Sequence, residues 1–282
     1  MQADALEVIA ERDARGEIAD IYADIRATMG LPVVNLVWRH FATLDGGLRH
    51  AWDALRPVYA SGAAAQAGAR LVAALELPRL PAVPPAVLAG VGVDAAAHAQ
   101  VLAVLDSYNR GNALNLCALS ALLAAPGTVP DGAPAQPAAA LPAPAVPIPP
   151  MPELEDMAPA VRSLVWQVNT LGQPDGDRIL ASAWKHLSLW PGVLSLCWAL
   201  LAPLQHDGRL AAAIADTRTA SLAEAARLAA LCGGDPAAPA AAAVRRVAAE
   251  FVQRAIARMV PAGLMLRRAL PDAPGGPPAT GG

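Results

Sequence analysis

The 282 residues carry 21 Lys and Arg against 24 Asp and Glu, a formal net charge of -3, and offer no clustered basic face of the kind nucleic-acid binding requires. Apolar residues make up 55% of the chain but aromatics only 4%, so alanine fills much of the interior and closely packed helices are expected. The polar, acidic start does not read as a secretory signal, and no apolar run is long and charge-free enough to span a bilayer. A soluble cytoplasmic protein is the expectation.

In chain order, Ile18, Ile21, Tyr22, Ile25 and Met29 recur at helical steps and predict an amphipathic helix over 17–29, stopped by Gly30 and Pro32. A second helix is expected over 33–44, a break at Asp45-Gly46-Gly47, and a third helix over 48–59. An alanine-rich helix follows over 63–77, then a short one over 86–90. Asp94 reads as the N-cap of a long helix that Arg110-Gly111-Asn112 should interrupt before it resumes over 114–125. Residues 126–152 are almost all Pro, Ala and Gly and read as an extended linker. Further helices are expected over 160–171, 183–189, 193–204, 209–231 and 240–270, with a kink at Pro261, and 272–282 read as a disordered tail. No segment alternates as a strand would, so the class is all-α.

The chain repeats itself. AWKHLSLWPGVLSLCWALLAP (183–203) echoes VWRHFATLDGGLRHAWDALRP (37–57) at one constant offset, which sets Trp38 on Trp184, His40 on His186, Gly46 on Gly192, Trp52 on Trp198 and Pro57 on Pro203. We therefore read two homologous helical repeats, 1–125 and 153–271, forming an intrachain pseudo-dimer with any ligand site where they meet. Association of two such chains into a homodimer is left open.

Familiar catalytic signatures are absent: no Walker A loop, no dinucleotide fingerprint, no HExxH and no GxSxG. The histidines never pair at metal-ligand spacing, so no metal and no cofactor is expected, and His40 and His186 read as hydrogen-bonding groups inside helix interfaces. Cys117, Cys197 and Cys232 form no CxxC and read as small buried apolar residues. Asn109-Arg110-Gly111-Asn112 stands out, because a glycine and two amides in an apolar helix cost about 1 kcal/mol or more in propensity. It reads equally as a close helix crossing or as part of a site.

Three stretches, 16–52, YNRGN (108–112) and ASAWKHLSLWPGVL (181–194), resemble in order and spacing the group I 2-haloacid dehalogenases, the DehI family. The resemblance implies an all-α pseudo-dimer with its site between the repeats. It also implies hydrolysis by a water that an aspartate activates for direct displacement of halide from a small 2-halo carboxylic acid. On this resemblance Asn112 would position the water and Ser182 would bind the substrate carboxylate. Val33 and Leu36 stand where the family has aromatics, with Trp38 and Trp184 supplying bulk. The family's aspartate position is occupied by Ala183, whose methyl group cannot take a proton. Asp175 and Asp177 lie nearby in sequence, and Asp177 is the candidate substitute base; Asp45 reads as a helix cap. Two readings follow: a dehalogenase-like protein with lost or altered activity, or a non-catalytic binder of a small acid or hydrophobic ligand.

Overall fold

The structure, a computed structural model, describes residues 6–124, 146–174, 177 and 179–272. Asp175, most of the expected linker and nearly all of the expected tail lie outside the described residues. Among those described there are helices and no strand, and the fold is all-α. After a 3-10 turn at Glu11–Asp13 come α1 (Glu17–Met29), α2 (Leu36–Phe41), α3 (Gly47–Ala60), α4 (Ala63–Ala74), α5 (Pro85–Gly90) and α6 (Ala95–Leu123). The second half holds α7 (Pro159–Asn169), α8 (Ser182–Leu187), α9 (Pro191–His206), α10 (Arg209–Leu228), α11 (Ala241–Glu250) and α12 (Ala257–Ala269). No helix here is long and apolar enough to cross a membrane.

Local chemistry accounts for most boundaries. Ile21, Tyr22, Ile25 and Met29 are the buried face of α1, and Gly30 closes it in the left-handed conformation at φ 62°, its N–H donating to Arg26 O. Asp94 caps α6 through a 2.8 Å bond from Ala97 N to its Oδ1. Asp45 plays no such part: the N-cap of α3 is Gly46, which sits at φ 63° and provides no side-chain cap. The second helix is shorter than its apolar pattern predicts, because residues 31–35 run extended into Asn35 before α2 begins.

α6 is the axis of the molecule and packs against α3, α4, α8, α10, α11 and α12. Its second half, from Gly111 to Ala121, is buried on nearly every side and is largely apolar there. The break expected at Arg110-Gly111-Asn112 does not occur, and α6 runs through it unbroken. Gly111 is there for close approach: a Cβ on it would lie 2.8 Å from Asn35 Nδ2 and 3.1 Å from Leu31 Cδ1. Near its other end the chain departs from α geometry at Phe251–Ile256, a π-helical turn upstream of Pro261, where a kink had been expected.

The rare aromatics gather in one place. Trp38 meets Trp52 edge-on at 5.3 Å and Tyr59 at 6.0 Å, and Trp52 stacks on Tyr59 at 5.9 Å. Asn115 of α6 accepts from Trp38 Nε1 at 3.0 Å and Tyr59 OH at 2.9 Å, so the cluster is polar-satisfied as well as packed. Cys117 and Cys197 are buried and Cys232 half-buried; burial pushes the first two thiols up to about 12 and the third to about 11.

A second polar centre sits under the segment that leads to α8. Arg258, 1% exposed, donates from Nη1 to Asn169 O at 2.8 Å, and from Nη2 to Asn169 Oδ1 and Ile179 O, both at 2.9 Å. Asn169 in turn donates to Ile179 O at 3.1 Å and accepts from Ala181 N at 3.0 Å. Burial lowers the Arg258 pKa to about 10, which leaves it charged at neutral pH, with Asp177 partly offsetting that burial. Replacing Arg258 by Met would strand buried acceptors. We expect Arg258→Met to lower unfolding free energy by about 3 kcal/mol in a denaturant titration. A change within experimental error would show that the network is not what holds this segment.

Candidate functional site

The N-terminal ends of α2 and α8 face one small cavity beside α6. Asn35, Leu36 and Val37 line it from one side and Ala181, Ser182 and Ala183 from the other. These are equivalent positions under the offset that relates the two sequence stretches. Tyr108, Asn112 and Asn115 of α6 form a third wall, and Phe251, Ala255, Ile256 and Met259 close the fourth. The volume is about 40 Å³, room for two or three waters at roughly 10–15 Å³ each.

Each wall is held by buried amides. Asn115 Nδ2 donates to Asn35 Oδ1 at 3.0 Å and to Gly111 O at 2.8 Å, pinning Asn35 against the glycine. Asn35 Nδ2 is left without a hydrogen bond among the described residues, and so is the side-chain amide of Asn112. Two free amides on an otherwise apolar wall are the groups that would hold a water or a polar ligand. On the opposite wall, the bonds from Asn169 to Ile179 and Ala181 fix the entry to α8, so Ser182 and Ala183 cannot drift.

Among the described residues on this lining, Tyr108 alone is titratable. Its phenol meets His186 Nδ1 at 3.3 Å, and His186 Nε2 meets Pro149 O at 2.7 Å. A carbonyl only accepts, so Nε2 carries the proton and Nδ1 accepts from the phenol. Burial raises the Tyr108 pKa well above its ordinary range and lowers that of His186, keeping both neutral. His40, the equivalent of His186, likewise bonds a backbone carbonyl, Glu7 O, at 2.7 Å.

Four of the residues singled out in the sequence therefore meet at one cavity: Leu36, Asn112, Ser182 and Ala183. The other four stand elsewhere. Trp38 and Trp184 are 0% and 1% exposed and pack behind the walls, not on them. Val33 is half-buried and off the lining. Asp177 is also off the lining: its Oδ1 accepts from Ile179 N at 3.1 Å, and its buried Oδ2 has no partner among the described residues. No carboxylate among the described residues lines the cavity. Sequence reading missed Asn35, Tyr108, Asn115 and the π-helical wall. Of these, only Tyr108 carried a signal, its place beside Asn109-Arg110-Gly111-Asn112.

A second cavity of about 160 Å³ adjoins the first, with Leu36 and Ser182 on both linings. Arg39, Lys185, Met151, Glu153, Glu155 and Leu180 are among its other walls. Arg39 Nη2 donates to Ser182 Oγ at 2.9 Å, and Lys185 pairs with Glu153. No cluster of three or more His, Cys, Asp or Glu side chains suited to a metal ion occurs among the described residues.

This arrangement of helices is that of the D-2-haloacid dehalogenases of known structure. The chain superposes on a D-2-haloacid dehalogenase mutant in complex with D-2-CPA at a TM-score of 0.70 and 19% identity, covering 94% of each chain. A second mutant of a D-2-haloacid dehalogenase superposes at 0.71 and 19% identity, and a D-2-haloacid dehalogenase in complex with L-LA at 0.70 and 20%, both again over 94% of each chain. At such identities the likeness is one of fold. No family model and no curated protein sequence matches the chain.

Two outcomes test the packing of this site. Alanine normally stabilises a helix relative to glycine by about 1 kcal/mol. Gly111→Ala should instead destabilise by about 1 kcal/mol in thermal unfolding, because Asn35 is pinned where the new methyl must go. His186 is held below its ordinary 6.5 by burial, so the unfolded chain takes up a proton that the folded state resists. Its contribution is complete above the unfolded pKa and is lost as pH falls through 6.5 toward the folded value. Denaturant midpoints measured from neutral to mildly acidic pH should therefore fall less steeply for His186→Gln than for the wild type.

Proposed function

We propose that this chain is a 2-haloacid dehalogenase-like protein whose cavity takes a small 2-substituted carboxylic acid. We propose further that water-driven displacement of halide from that acid is lost or altered. One observation carries the proposal. Ser182, Ala183 and Asn112 line the same cavity, and no carboxylate accompanies them among the described residues. The site keeps groups suited to holding a polar ligand and lacks the one that would take a proton from water.

Two further observations support this reading. The solved structures that share the fold over nearly the whole chain are D-2-haloacid dehalogenases. The cavity also lies between α2 and α8, whose bounds coincide under the sequence offset, which favours two repeats with the site at their junction. Removal of a general base typically lowers a rate by about 100- to 10,000-fold. The non-catalytic reading, a binder of small acids, is favoured by the same absent carboxylate. Asp177, the candidate substitute base, would have to leave Ile179 N and move onto the lining to act.

Halide release from both enantiomers of 2-chloropropionate tests the proposal. Wild-type protein should release halide at least about 100-fold more slowly than Ala183→Asp, in which a carboxylate is restored opposite Asn112. Wild-type turnover matching that of Ala183→Asp would sink the lost-base reading, and turnover abolished in Asp177→Ala would reassign the base.

A further inference from the structure

Two arginines are buried among the described residues, and their surroundings differ. Arg258 uses both terminal nitrogens on acceptors from Asn169, Leu171 and Ile179, and only its Nε has no partner. Arg39 is 7% exposed and makes one side-chain hydrogen bond, to Ser182 Oγ at 2.9 Å, while its Nε is buried with no partner. Among the described residues no carboxylate lies within ion-pair distance of it. A guanidinium has five N–H donors and cannot shed its charge, so burying it this way is costly unless an anion completes it.

The guanidinium stands on the wall of the larger cavity, the one that shares Leu36 and Ser182 with the smaller. Lys185 occupies the equivalent position in the other sequence stretch and lines the same cavity, but it is taken up by Glu153, which also pairs with Arg12 at 3.0 Å. Glu155 on the same lining is exposed and makes no ion pair, so solvent screens its opposition. Of the two equivalent cations, only Lys185 is in a close ion pair; Arg39 also helps lower the Glu153 pKa, but from beyond ion-pair distance. Ser182 Oγ accepts from Arg39, which leaves its own proton free to donate.

We propose that Arg39 and Ser182 form the subsite for a ligand carboxylate. The planar guanidinium holds one or both carboxylate oxygens and the hydroxyl donates to one of them. The Cα substituent then points into the smaller cavity, against Leu36, Asn112 and Ala183. The proposal rests on the small-acid reading above and adds to it the group that recognises the charge.

The test is calorimetric titration of the full chain with D- and L-2-chloropropionate, with 2-chloropropionamide, and with sodium chloride. The acids should bind, the neutral amide should bind at least about ten-fold more weakly, and chloride should compete poorly. Arg39→Met should weaken acid binding about ten- to a hundred-fold, with Arg39→Lys in between. Equal affinity for acid and amide, or undiminished acid binding by a folded Arg39→Met, would overturn the subsite and leave the small-acid reading standing. Absence of acid binding by the wild type would overturn both. Chloride binding as tightly as the acids would mark a bare inorganic-anion site and overturn the carboxylate assignment. Circular dichroism monitors folding of the variants, and should Arg39→Met not fold, the comparison of acid with amide on the wild type decides.

Discussion

The candidate site depends on one constraint: Asn169, Ile179 and Ala181 must be held against the core so that α8 starts where it does. Arg258 supplies it from beneath. Its guanidinium binds the carbonyls of Asn169 and Ile179 and the side chain of Asn169, and Asn169 in turn bonds Ile179 and Ala181. A neutral side chain could fill the volume but could not gather so many acceptors at once. A chain that carries Gly172 and Pro174 just ahead of α8 has little helical propensity of its own there, so long-range bonds must do the ordering.

The other wall of the cavity is built on the same principle with different chemistry. Asn115 ties the aromatic cluster, through Trp38 and Tyr59, to Asn35 at the mouth of α2. Gly111 makes that junction possible by leaving room for Asn35. Both helices that face the cavity are thus set by a buried amide, one backed by aromatics and one by a cation. Polar groups on walls buried this way act at low local dielectric, where they bind charge and dipoles strongly.

Much of the architecture was legible in the sequence because it is local. The α1 stripe, the Gly30 stop, the Asp94 cap and the all-α class follow from periodicity and capping chemistry that a short window contains. The site was legible in part. Leu36, Asn112, Ser182 and Ala183 line one cavity, whereas Trp38 and Trp184 are buried off its lining. The expected break at Gly111 failed for an instructive reason. Local propensity argued for an interruption, but packing a partner side chain over a glycine keeps the helix continuous.

By itself the sequence determined the helical class, most helix positions, and the likeness of residues 37–57 to residues 183–203. Each of these is a matter of residue type and spacing along the chain. Only the tertiary structure decided which amides are free and which are consumed, that Asp177 lies off the cavity wall beside Arg258, and that Arg39 is buried against Ser182 with no carboxylate within ion-pair distance among the described residues. Those properties arise from contacts between segments distant in sequence. Burial and hydrogen-bond satisfaction exist only once the helices have packed.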